Sequence, residues 1–124
     1  MRRALALLGL LALTACQPPP LQAPGSPGVC WRLASAMNGK SDFKPFAYNV
    51  ENLENCAVQL EGAHLANHTP MVGAFQGRII YVDDQEISAA ADGRSQRYRV
   101  FTPAQRAKID EGFKTLQDRQ RNGG

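Results

Sequence analysis

Five prolines, Pro18, Pro19, Pro20, Pro24 and Pro27, crowd into one short stretch together with Gly25, Ser26 and Gly28. Each proline fixes its own φ and removes a backbone donor, so such a stretch is barred from helix interiors and central strands and reads as an extended tether. The tether, residues 16–28, divides the chain: residues 1–15 lie before it, 29–119 are left to fold as a single domain, and 120–124 form a polar tail expected to be disordered. At about 3.1 Å per residue the tether would hold the folded part up to roughly 35 Å from its attachment point. The folded part runs for 91 residues, enough for one modest core but small enough to benefit from a covalent staple.

What precedes the tether is Met1-Arg2-Arg3 followed by the apolar run ALALLGLLALTA. Two positive charges, about ten apolar residues and a small-residue end describe a secretory signal peptide. The run falls short of the roughly 20 residues a membrane-spanning helix needs. It closes on Leu13-Thr14-Ala15-Cys16, which resembles the lipobox of bacterial lipoproteins: an aliphatic residue, two small ones, then cysteine. The resemblance covers residues 1–16 only. It implies cleavage before Cys16, lipidation of the Cys16 thiol, and anchoring in the cell envelope. Two or three acyl chains hold a protein stably where one does not. Gln17 rather than Asp after the cysteine implies the outer membrane, facing the periplasm.

Loss of Arg2 and Arg3 with the leader leaves 12 of the 14 basic residues, almost balanced by the 11 acidic ones. That argues against nucleic acid as a partner, which calls for a clustered basic face. Once Cys16 is lipidated, Cys30 and Cys56 remain. In an oxidising compartment an even pair reads as a disulfide. A redox site is the weaker reading, because the two lack the Cys-x-x-Cys spacing that lowers a thiol pKa.

Alternation in VCWRLAS predicts a first strand over Val29–Ser35, and Asn38-Gly39 a turn. FKPFAYN contains Pro45 and suits only an edge strand. Asn49 is placed to cap a helix through VENLENCAVQLEGAHLA, with Val50, Leu53, Ala57, Leu60 and His64 on one stripe and Cys56 beside it. Val72–Val82 reads as one strand with a bulge or close packing point at Gly73 and Gly77. A shorter strand follows in ISAAA, then RYRVF. Thr102-Pro103-Ala104-Gln105 is a capping box with proline at the first helical position, opening a last helix with the apolar stripe Ile109, Phe113 and Leu116. The expected fold is α+β: an antiparallel sheet of three to four strands with two helices on one face and one disulfide, preceded by the leader and the tether.

Few residues suggest chemistry. His64 and His68 have the i, i+4 spacing of zinc ligands, but no Glu follows His64 and no third histidine exists; two solvated histidines at a helix end is the expectation. Asp83, Asp84 and Glu86 make the densest acidic cluster, expected to be a wet turn rather than an acid–base pair. No serine sits in a nucleophile-elbow context and no phosphate loop is present. Catalytic residues, metal ligands and cofactors are therefore expected to be none, and the protein not to be an enzyme. Trp31, Phe43, Phe46 and Tyr48 read as core, or as the lining of a small groove. Arg78, Arg97 and Arg99 lie on strands, and Arg97 and Arg99 share a side by alternation; with Arg78 in register they would present three guanidinium groups to carboxylates on an envelope partner. The function expected is docking onto, or assembly of, another envelope component; the alternative is a small periplasmic ligand-binding or enzyme-inhibitor module.

Overall fold

In a computed structural model of the chain, residues 21–35 and 39–123 are described; the leader, Cys16 and residues 17–20 lie outside them. The elements run β1 (Cys30–Ser35), β2 (Ser41–Ala47), α1 (Leu53–Asn67), β3 (Met71–Phe75), β4 (Arg78–Val82), β5 (Ile87–Ala90), β6 (Tyr98–Arg99) and α2 (Pro103–Asn122). All neighbouring strands are antiparallel, in the order β2-β1-β3-β4-β5-β6. The sheet thus has six strands where three to four were expected. The main source of the difference is Gln76-Gly77. Both residues take positive φ, 45° and 86°, the backbone of a tight two-residue hairpin turn. The expected strand over Val72–Val82 is therefore the hairpin β3–β4, with Phe75 opposite Arg78.

α1 starts three residues later than expected. Asn49 has φ 58°, a left-handed conformation that cannot cap, whereas Asn52 is extended and its side chain accepts from Asn55 N at 2.8 Å. The helix ends where His68 turns left-handed and donates its N–H to the His64 carbonyl oxygen. Leu53, Cys56, Ala57 and Leu60 face the sheet and are buried against Phe75, Ile80, Val82, Ile87 and Ala89. Gly73 is what allows this closeness. A Cβ there would run into the Leu60 side chain and the Trp31 carbonyl oxygen, so the glycine is a close-packing point and not a bulge.

Cys30 and Cys56 form the expected disulfide, with Cα atoms 5.3 Å apart, tying the first strand to α1. The Thr102–Gln105 capping box is also present, with bonds of 2.9 and 3.1 Å. α2 departs from expectation in two ways. It continues through Asn122, into the tail expected to be disordered, and it packs mainly on α1 instead of on the sheet, with none of its residues buried. Gly62 on α1 leaves the space that the Phe113 ring occupies. No helix among the described residues is long and apolar enough to cross a membrane.

The sheet face away from α1 is not open to water along its whole width. Ala74, Ile79 and Ala90, which lie in one cross-strand row with Trp31, are fully buried. Of the four aromatics expected to gather, Phe43 is buried, Trp31 and Phe46 are half-buried, and Tyr48 is exposed.

Candidate functional site

Strand register divides the three arginines. Tyr81 stands opposite Ser88, and Ser88 opposite Arg99, so Tyr81 and Arg99 share the face away from α1. Arg97 joins them: its guanidinium lies 3.5 Å from the Tyr81 ring centroid, a cation–π stack that limits the motion of a long side chain. Arg99 is half-exposed and only 3.7 Å from the Glu86 carboxylate. Arg78 alternates with Ile80 and Val82 onto the helix side, where its Nη1 donates to the Tyr98 hydroxyl at 3.0 Å. The three do not share one face. The hairpin turn settles this, because it puts Arg78 first in a new strand instead of midway along the old one.

A second constellation lies in the seam between α1, α2 and the β4–β5 turn. Arg106 of α2 forks onto Glu61 of α1, its Nε and Nη2 donating to the two carboxylate oxygens at 2.8 Å each. Glu61 is fully buried. Burial by itself would raise the Glu61 carboxyl, but hydrogen bonds from Arg106 and Asp110, with the guanidinium charge, hold it below the ordinary carboxylate range. One turn further on, His64 is buried and bonded at both ring nitrogens: Nδ1 to the Thr69 carbonyl oxygen at 2.6 Å and Nε2 to Asp84 Oδ1 at 2.9 Å. The expected pair of solvated histidines is therefore not found; His64 is a buried anchor, while His68 is exposed.

The acidic turn divides its work. Asp83 accepts from Gln85 N and Glu86 N, which lowers its pKa, and Asp84 clasps His64. Among the described residues no three His, Cys, Asp or Glu side chains are grouped to hold a metal. Beside the seam is a hollow of about 340 Å³ lined by His64, Asp84, Gln85, Arg106 and Asp110 with apolar Leu65, Pro103 and Ala107.

Asp110 completes the seam. Burial first, then the Glu61 carboxylate close beside it, push its carboxyl up to about 6. A carboxyl raised on folding contributes stability that is present at acid pH and lost as pH rises through about 6. Glu61, lowered, acts in the opposite sense and loses its contribution in acid. Urea midpoints of the wild type are therefore expected to fall between about pH 4 and 6, and Asp110→Asn to flatten that fall. An unchanged pH profile in the variant would remove Asp110 from the account.

Of this seam the sequence singled out His64 and Asp84 without joining them, and it missed Glu61, Arg106 and Asp110, although one signal was there. Glu61 lies four residues beyond Ala57 and three before His64, a charge placed on the apolar stripe of α1. A charge on such a stripe needs a partner. Which cation supplies it, 45 residues away, is not legible from spacing. No protein-family model, curated protein or solved structure matches the chain.

Proposed function

We propose that the protein is a non-enzymatic component of the cell envelope, lipidated at Cys16, held in the outer membrane facing the periplasm, and docking onto or helping to assemble another envelope component. The observation that carries the docking part is the Tyr81–Arg97 stack with Arg99 beside it. A guanidinium already ordered on an aromatic ring loses less freedom when it forms forked bonds to a carboxylate. Arg99, only loosely held by Glu86, is available for exchange onto a partner's carboxylate. Arg78 stands outside this surface. The seam supports the non-enzymatic reading as well: the Glu61–Arg106 and His64–Asp84 groups are bonded to each other and hold three elements together.

The test is Arg97→Glu with Arg99→Glu, in a variant whose circular dichroism and urea midpoint match the wild type. Photo-crosslinking from a probe at position 96 in intact cells should identify an envelope partner with the wild type and lose it with the double variant. An equal crosslink in both would exclude this surface. The second reading, a small ligand-binding or inhibitory module, is favoured by the 340 Å³ hollow with its converging polar groups. A rise in Tm with a small polar compound, abolished by Asp84→Asn, would move the function there.

A further inference from the structure

The end of the tether is part of the fold. The Pro24 carbonyl oxygen accepts from Gly77 N at 2.9 Å, the Gly28 carbonyl oxygen accepts from Val50 N at 2.9 Å, and Gly28 N donates to Gln76 Oε1 at 3.1 Å. The Leu21 backbone lies so close to Gly93 that a Cβ there would come within 2.8 Å of its nitrogen. Leu21, Ala23 and Pro24 are half-buried. These contacts share one end of the sheet, where the β3–β4 turn, the chain leaving β5 and the approach to α1 come together. The strap is secured beyond Gly28 by Cys30, which is both in β1 and in the disulfide.

The 35 Å standoff expected from a free tether therefore does not apply. From Leu21 back to Cys16 there are five residues, which reach at most about 18 Å when fully extended. The β4–β5 turn lies at the other end of β4, whose five residues span about 17 Å more.

We propose that the end of the sheet carrying the Gln76-Gly77 turn and the Gly93 loop sits against the phospholipid bilayer that holds Cys16, with the β4–β5 turn and the His64 seam pointing away from it. This rests on lipidation of Cys16. The occupant follows from chain length and not from charge, since Arg78 and Arg94 at this end are offset by Glu51, Glu54 and Asp92. The orientation leaves the Asp84 end free to meet periplasmic components.

The experiment uses the full acylated chain in phosphatidylethanolamine–phosphatidylglycerol vesicles containing a headgroup spin-labelled lipid. A fluorophore is attached at Arg94→Cys or, separately, at Gln85→Cys, both exposed positions. Most of the fluorescence should be quenched at position 94 and little at 85. Insertion of about twenty Gly/Ser residues between Gln17 and Pro18, a flexible reach of roughly 25 Å, should relieve the quenching while leaving acylation intact. Equal quenching at both positions, or more at 85, in a chain shown by mass spectrometry to be acylated would overturn the orientation and leave the anchor standing. A chain that carries no acyl group at Cys16 and is not recovered with membranes would overturn both.

Discussion

Arg106→Ala is expected to destabilise the protein by about 3–5 kcal/mol, the cost of stripping the partner from a buried charge. The Glu61 side chain has no exposure to solvent, and that of Arg106 is 14% exposed. α2 has little else to hold it: none of its residues is buried, and its apolar contact with α1 is chiefly Phe113 against Gly62. Removing the guanidinium leaves Glu61 either charged and unpaired or forced to take up a proton. The deficit should therefore shrink as pH falls, because protonation then costs less. Replacing both partners, Glu61→Leu with Arg106→Leu, should recover most of the loss, since an apolar pair of similar volume needs no compensation. Urea unfolding at constant m-value measures all three proteins. A loss below about 1 kcal/mol for Arg106→Ala, the range of exposed pairs, would mean that α2 is held by something else.

The second large effect concerns the disulfide. Cys30 and Cys56 are both fully buried and close a loop across 26 residues of sequence. Such a closure contributes about 3–4 kcal/mol by restricting the unfolded chain. Cys30→Ala with Cys56→Ala should lower Tm by more than about 10 °C in a domain of this size. Mass spectrometry of the oxidised protein should find one linked peptide pair and no alkylated thiol. A Tm unchanged by the double substitution would show that the core holds β1 and α1 together without the bridge.

What the sequence by itself determined are the features that depend on near neighbours. The Thr102–Gln105 capping box, the stop of α1 ahead of Pro70, the apolar stripe of α1 and the two-helix, antiparallel character of the fold all follow from residues within a turn or two of each other. The disulfide belongs here as well, for a different reason: two cysteines in the folded part leave only one way to pair. Tertiary structure decided everything that depends on register or on distant partners. One turn, Gln76-Gly77, made two strands of an expected one and moved Arg78 to the face opposite Arg97 and Arg99, because side chains alternate with a period of two. Asn52 displaced Asn49 as the helix cap because the chain must first turn left-handed to leave the strap beside Val50. The Glu61–Arg106 fork and the His64–Asp84 bond join residues 45 and 20 positions apart, and no local rule couples them. Burial brought those groups together, since a charge carried into the interior on an amphipathic helix is tolerated only where the fold supplies its counterpart.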